Sequence, residues 1–575
     1  MQGRYDVVVI GAGLAGLSLT RQLLLHTDKT VLLLDKWPQP ARRGQKVGES
    51  LVQLSGYYFS KVLDLEEHLL RNHYLKYNLR FYWPTAGRSN GNVEDYSQSF
   101  IRLGSNIATF QLDRNLLEQY LLELVSSDPR CTFYGGAQSP QVTLGGGEDN
   151  HTVAFNGEEV KCGWVIDTSG RGGVLRRMLS LDAESPIRHG ATFCWVDGLV
   201  NVEKLTDRSQ REIRLDPRRQ MLGSFPGFLP TTHFCAEGQW FWVITLHGKT
   251  SLGLVYDSSV VAHQDVSTGR KLIAYACEKW PLFARDLPRR TILDEGRYVD
   301  FAYDTRQAIS GERWALSGEG ARFSDPLYSP GSDLIAISNT LLVDAIGTRD
   351  PELRREKCRL YDQIARVMYE AYVPSYAVSY DCLGDQEAFT LKYSWELATY
   401  FGFYVLPFIN DLFTDSTFMA AFLRRFARLG PINPNLQQFL SRYYCWKQTQ
   451  PVRAAAPLLF ELYDVAHLRE SERLFYRIGL TRAEVLSELD HHLERLLEMA
   501  RYVYSHVYAA VLRDPNLLRH TELIERLDLA ATPFDPDRMC AERAGLMKNS
   551  GRYCWSFEPL HAFLPQEGIA AAHPA

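Results

Sequence analysis

The run Tyr5-Asp6-Val7-Val8-Val9-Ile10 passes directly into Gly11-Ala12-Gly13-Leu14-Ala15-Gly16 and then into a helical apolar pattern over residues 17–25. A β-branched run, a tight glycine turn and a helix start in immediate succession specify the first half of a βαβ unit. The three glycines serve different ends. Gly11 permits the turn, Gly13 lets a pyrophosphate approach the backbone, and Gly16 allows the helix to pack closely on the strand. The helix N-terminus then faces the phosphates. A second apolar run, Val31-Leu32-Leu33-Leu34, ends at Asp35, an acid placed about twenty residues beyond the glycines to accept a hydrogen bond from a ribose hydroxyl. The N-terminal region is therefore expected to bind a dinucleotide.

Composition bounds the remainder. A chain of 575 residues, 45% hydrophobic, has room for a large domain and a second module. Its net charge of −5 supplies no basic footprint, so no nucleic-acid partner is expected. The ten cysteines, among them Cys162, Cys194, Cys235 and Cys445, show no C-x-x-C spacing, and no metal site is expected. They read as reduced, mostly buried thiols of a cytoplasmic protein, and the immediate entry into the first strand leaves no room for a signal peptide. Downstream, Trp240-Phe241-Trp242-Val243-Ile244 reads as a strand, on which Trp240 and Trp242 share one face. Such a pair suits plain core packing and equally a rigid indole wall between two compartments.

FAD and NAD share the N-terminal fingerprint, and later segments distinguish them. Trp314-Ala315-Leu316-Ser317-Gly318-Glu319-Gly320-Ala321 resembles the second FAD signature of the flavoprotein monooxygenase superfamily, with Glu319 where that family usually has Asp. Trp164-Val165-Ile166-Asp167-Thr168-Ser169-Gly170-Arg171 resembles its intermediate strand-to-loop signature. Arg114 sits where the superfamily often places an arginine near the cofactor; following Asp113, it also suits a surface arginine beside a helix cap.

Four further segments, in order, resemble the flavin-dependent halogenases. They are Val47-Gly48-Glu49-Ser50; Lys76 ahead of the aromatic run Phe81-Tyr82-Trp83; Trp240-Phe241-Trp242-Val243-Ile244-Thr245, similar to the W-x-W-x-I-P signature; and Asp325-Pro326-Leu327-Tyr328-Ser329-Pro330-Gly331. The resemblance covers roughly residues 1 to 345. It implies FAD, delivered as FADH2 by a separate flavin reductase, together with O2 and chloride or bromide. Lys76 and Glu49 would be catalytic. Gly11, Gly13, Gly16, Asp35, Ser50, Arg114, Gly318, Glu319, Asp325 and Gly331 would hold the cofactor. Trp240, Trp242 and Tyr328 would wall the tunnel, and Ser329, Gly331 and Ser332 would hold the halide.

The chain departs from the family pattern in four places. Gln239 and Thr245 stand where the family usually has Gly and Pro, and Tyr328 and Pro330 stand where tryptophan-specific members have Glu and Thr. The missing Glu points to a phenol, pyrrole or carrier-bound acyl substrate, and Pro330 takes one backbone donor from the halide loop. Lys76 as a solvated lysine on a strand edge is the alternative. On the same scaffold the alternatives are an FAD-dependent hydroxylase or oxidase, or a degenerate flavin-binding docking protein. No second nucleotide fingerprint follows the first, which fits reduction by a separate reductase.

The expected class is α/β: a Rossmann-type FAD-binding domain over 1–345 with an associated substrate-side β-sheet from about 75–110 and 185–305, then a mainly α-helical module over 346–575 covering the substrate entrance. Asp350-Pro351 marks the change. Residues 491–506 and 512–529 read as further amphipathic helices, and 567–575 as a frayed tail. The most apolar run, 397–409, contains Pro407 and is shorter than the roughly 20 residues needed to span a bilayer. It reads as a buried helix or lid, or as a peripheral membrane contact if its aromatics face outward.

Overall fold

The β-branched run becomes β1 (Arg4–Ile10), the glycine turn follows, and α1 (Leu14–His26) packs back onto the sheet before β2 (Val31–Asp35). The structure, a computed structural model, describes residues 2–39, 44–223, 225–451, 455–546 and 552–564; the expected tail at 567–575 lies outside them. β1 is flanked by β2 on one side and Glu158–Asp167 on the other, both parallel, as a strand followed by a crossover requires. Cys131–Gly135 extends the sheet beyond β2, and Trp314–Leu316 pairs in parallel with Glu158–Asp167. The strand ends thus bring Gly11, Thr168 and Ser317 to one rim, where an open α/β sheet binds its ligand.

The second sheet has eight strands, in the order Ile292–Tyr298, His189–Asp197, Lys249–Asp257, Gln239–Leu246, Thr231–Ala236, Leu79–Pro84, Tyr96–Phe100 and Leu459–Glu461. The last of these is not expected from sequence: a three-residue strand from the helical C-terminal region pairs in parallel with Tyr96–Phe100 and completes the edge. Three residues carry too little periodicity to be recognised. The helix break expected at Asp350-Pro351 is present. The helix Pro330–Gly347 ends just before it, and Asp350 then caps Pro351–Glu370 by accepting from Leu353 N.

The C-terminal region is mainly helical, but its segmentation differs from what the periodicity suggests. Residues 491–506 lie inside one helix, Arg482–Val511, started by a Thr481/Glu484 capping box. Residues 512–529 form no single amphipathic helix: Pro515 opens a 3-10 turn, Pro515–Arg519, before the short helix Thr521–Arg526. The run 397–409 continues the helix Gln386–Tyr400 through a π-helical turn, Phe401–Val405, into Leu406–Ile409. Phe401, Phe403, Tyr404 and Phe408 are buried, so this run makes no outward membrane contact, and no described helix is long and apolar enough to cross a membrane. Of the cysteines named from sequence, Cys445 is exposed rather than buried.

Phe403 is wholly buried against Phe422, Phe426 and His492. Truncating a buried Phe costs about 3–5 kcal/mol. Phe403→Ser should therefore lower the melting temperature and the folded yield rather than turnover alone. Thermal unfolding beside turnover per folded molecule checks this.

Candidate active site

At the nucleotide turn the three glycines differ in physical requirement. Gly11 has φ +113°, and a Cβ there would press on Thr168 O; a Cβ on Gly16 would overlap Gly11 O. Gly13 has nothing within 4 Å of its Cβ position, which is the open backbone approach a pyrophosphate needs. Asp35 Oδ2 accepts from Ala12 N at 2.8 Å and Oδ1 from Trp37 N at 2.8 Å, so the acid braces the turn. These features fit an FAD pyrophosphate and ribose, which the turn and Asp35 would hold.

From this rim a chamber extends between the two sheets. Gly48 (φ +90°) brings Val47-Gly48-Glu49-Ser50 along one side, and Arg114 Nη1 donates to Val47 O at 2.7 Å. Asp113 caps the helix Arg114–Ser127 while Arg114 itself lines the chamber. Glu49 is buried, its Oε1 accepts from Trp195 Nε1 at 2.7 Å, and burial pushes its carboxyl up to about 7. Gly318 and Glu319 also line the chamber; burial raises the Glu319 carboxyl, against the nearby Arg171 and Arg114.

Asp325 also borders this chamber, with both carboxylate oxygens engaged. Oδ1 accepts from Leu327 N at 2.8 Å; Oδ2 meets His189 Nδ1 at 2.7 Å and Tyr380 OH at 3.1 Å. Trp240 Nε1 in turn donates to Tyr380 OH at 2.8 Å. This relay of hydrogen bonds ties the tryptophan strand to the loop. His189 and Tyr380 are not legible from sequence, since neither lies in a motif.

Trp240 and Trp242 do share one face, their rings 5.7 Å apart, and both line the chamber. The expectation of a wall between two compartments needs correction, because neither tryptophan borders the second cavity. Of the three expected wall residues, Tyr328 stands between the cavities, together with His233 and Phe81. His233 borders the first chamber and stacks on Phe81 with ring centroids 4.8 Å apart, and Phe81 meets Tyr328, which lines the second cavity, edge-on at 6.3 Å. Tyr328 (φ +68°) and Ser329 (φ +59°) are consecutive left-handed residues, and they border different cavities. Non-glycine residues in this region carry strain of about 1–2 kcal/mol each.

Ser329 leads into the helix Pro330–Gly347, whose first turn places Gly331 and Ser332 at the chamber. Pro330 is the first helical residue, a position that favours proline. The expected loss of a loop donor is therefore local: the Gly331 and Ser332 N–H groups remain in the first turn, where the helix dipole favours an anion.

Lys76 occupies the junction. It borders the second cavity, of about 310 Å³, while its Nζ donates to Ser50 Oγ at 2.7 Å and Leu51 O at 3.0 Å. Ser50 borders the first chamber. The lysine backbone is pinned by a Lys76 N to Thr109 O bond of 2.8 Å. At 5% exposure Lys76 is no strand-edge lysine, and burial lowers its ammonium from 10.5 to about 7, against the opposing charge of Asp333. Asp333, which no motif marks in the sequence, is buried beside it. It accepts from Ser55 N and Tyr400 OH, each at 2.9 Å, and burial raises it to about 6.

Burying this lysine has a stability signature. Its folded value is depressed, so the folded state binds fewer protons than the unfolded state between pH 7 and 10.5. The cost is fully present below pH 7 and fades as pH rises to 10.5. Lys76→Met should therefore stabilise the fold by a few kcal/mol at low pH, with the gain shrinking by pH 10. A melting-temperature difference independent of pH would refute this.

The fold is a Rossmann-type sheet with a second sheet against it, and its glycine turn fits a dinucleotide such as FAD. No family model matches the chain. It is 24% identical over 451 residues to flavin-dependent halogenase chlA of Dictyostelium discoideum, covering 71% of this chain and 73% of that protein. It is 24% identical to the 1H-pyrrole-2-carbonyl-[peptidyl-carrier protein] chlorinase of Pseudomonas fluorescens, over 57% of this chain and 72% of that one. Among solved structures, halogenase PltM shares the fold with a TM-score of 0.58 at 17% identity, covering 86% of this chain and 96% of that chain. The chain's homologues are thus flavin-dependent halogenases, which are oxidoreductase enzymes.

Proposed function

We propose that the chain is an FADH2- and O2-dependent halogenase that directs hypohalous acid through Lys76 onto an electron-rich aromatic or carrier-tethered substrate, with FADH2 supplied by a separate flavin reductase. One observation carries this reading: Lys76 is the buried group that borders the substrate-side cavity and hydrogen-bonds Ser50 of the flavin-side chamber. When bound, reduced FAD with O2 supplies the oxidation of chloride or bromide to an electrophilic halogen.

The residues then have separable roles. Gly331 and Ser332 present first-turn N–H groups to the halide. The aromatic layer of His233, Phe81 and Tyr328 separates the organic substrate from the flavin side, which suppresses simple hydroxylation. Lys76 Nζ would donate to hypohalous acid as an ammonium; as a free amine it would take the halogen from hypohalous acid, the O–halogen and one N–H bond breaking and water leaving, and a group held near 7 reaches both forms at neutral pH. Asp333 is a positioning residue that tunes this balance through its charge.

The pyrrolyl-carrier chlorinase among the relatives makes a tethered substrate a natural candidate beside free aromatics. The test is mass spectrometry of products from phenols and pyrroles, free and carrier-bound, with flavin reductase, FAD, NADH and either halide. Products that require halide and carry its isotope pattern are expected. Hydroxylated product alone, unaffected by halide, would overturn the reading.

A further inference from the structure

Glu49 is a buried acid at the first chamber for which halogen transfer through Lys76 has no task. It is 2% exposed and lines the chamber, as Trp242 does. Three side chains reach its carboxyl, and all three donate. Trp195 Nε1 lies 2.7 Å from Oε1, Gln45 Nε2 lies 3.4 Å from Oε2, and Ser251 Oγ donates as well. Ser251 Oγ itself accepts from Trp242 Nε1 and from Gln45 Nε2, each at 3.0 Å. A serine hydroxyl has a single hydrogen and two lone pairs, so Ser251 is fully used and the Gln45 amide is fixed with its N–H side toward it.

This shell suits an ionised carboxylate and leaves a protonated one with a hydrogen to place. The Trp195 nitrogen has no lone pair to offer, Gln45 presents N–H, and both Ser251 lone pairs are taken. The O–H of a protonated Glu49 therefore turns toward the chamber. Burial raises the carboxyl and the three donors lower it, to about 7, so both forms are within reach at neutral pH. Asp113 adds to the rise; it is paired at 2.7 Å with Lys249, whose ammonium lies over the Trp195 ring. Arg114 and Lys46 both turn to Glu118. The other acids and bases at the chamber are less suited. Burial raises Glu319, but Arg171 and Arg114 favour its ionised form; Asp325 is engaged by His189 and Tyr380; burial lowers His233 to about 3.

We propose that Glu49 is the proton donor of this chamber, taking up a proton when reduced flavin is bound and releasing it as halide is oxidised. This deepens the halogenase reading and rests on it. The stoichiometry calls for such a group: FADH2, O2, X− and H+ become FAD, HOX and H2O. O2 takes two electrons from the flavin and two from the halide. HOX and H2O together hold three hydrogens, of which FADH2 carries two, and the third arrives as a proton. Negative charge on a bound reduced flavin raises the acid and loads it; water reloads it after turnover.

The test uses FAD-loaded protein without halide or organic substrate. The pH dependence of the flavin midpoint potential counts the protons taken up per flavin reduced. Above pH 7, where Glu49 of the oxidised protein is ionised, wild type should take up about one proton more than Glu49→Gln. Trp195→Phe keeps a ring beneath Lys249 but removes one donor to Glu49. The pH at which the extra uptake begins should then rise by about one unit, the weight of a hydrogen bond to a charged group. With halide and substrate present, Glu49→Gln should form halogenated product slower by on the order of 10²–10⁴.

Equal proton counts in wild type and Glu49→Gln, or an onset unmoved by Trp195→Phe, would overturn the assignment, since an acid that only braces the fold changes neither. Should Glu49→Gln fail to retain FAD, the onset in Trp195→Phe decides alone. Purely hydroxylated product would sink the halogenase reading instead, and the proton count, taken without halide, would still judge Glu49.

Discussion

Lys76→Ala is expected to leave FAD binding and oxygen consumption largely intact while abolishing halogenated product. In the proposed reaction the lysine would act after the halide has been oxidised, and its side chain borders the second cavity rather than the nucleotide turn. A positioned donor of this kind is worth on the order of 10²–10³ in rate, so product should fall by at least that factor. Lys76→Arg should not restore it. The guanidinium cannot be deprotonated to accept halogen, and its planar fork does not fit a slot in which Nζ meets Ser50 Oγ at 2.7 Å and Leu51 O at 3.0 Å. Product mass spectrometry beside oxygen uptake separates the two activities. Normal halogenation by Lys76→Ala would remove the lysine from the mechanism. Parallel loss of both activities would show that it supports the flavin chamber instead.

The second large effect concerns the glycine turn, where two substitutions of the same chemistry should fail differently. Gly13→Val should fold and lose FAD. The protein leaves open space beyond the Gly13 Cβ position, so a branched side chain meets no protein atom there but fills the approach of the pyrophosphate. Gly16→Val should not fold, because its Cβ would overlap Gly11 O and crowd Thr168 Oγ1, where α1 packs onto β1. Absorbance of bound flavin and circular dichroism measured together distinguish the outcomes. A fully yellow Gly13→Val protein would show that the nucleotide lies elsewhere.

These experiments probe features of unequal legibility. The βαβ start could be read from sequence because each of its determinants is local: a β-branched run, three glycines at fixed offsets, an apolar helix and an acid at the end of the next strand. Gly11, Gly13 and Gly16 stand in three different steric situations, and those differences follow from backbone geometry that the spacing alone encodes. The tryptophans' shared face was likewise legible, since alternation along a strand needs no partner. What lay behind that face was not. The tryptophans border the first chamber and not the second, and between the two stand His233, Phe81 and the expected wall residue Tyr328, which three separate parts of the chain bring together.

By itself, then, the sequence determined the nucleotide-binding unit, the strand identity of the tryptophan run and the residue types along the flavin-side segments, because these depend on neighbours within a few positions. Only the tertiary structure decided that Lys76 is buried between two cavities, that Asp333 and Tyr400 stand behind it, that Trp195 donates to Glu49, and that residues 459–461 complete the second sheet. It also turned Phe401 and Phe403 inward, where an apolar run alone left a membrane-facing surface open. The physical reason is the same throughout. Burial, which sets the charge state of Lys76 and the exposure of each aromatic, is a property of what packs against a side chain, and those partners lie tens to hundreds of residues away.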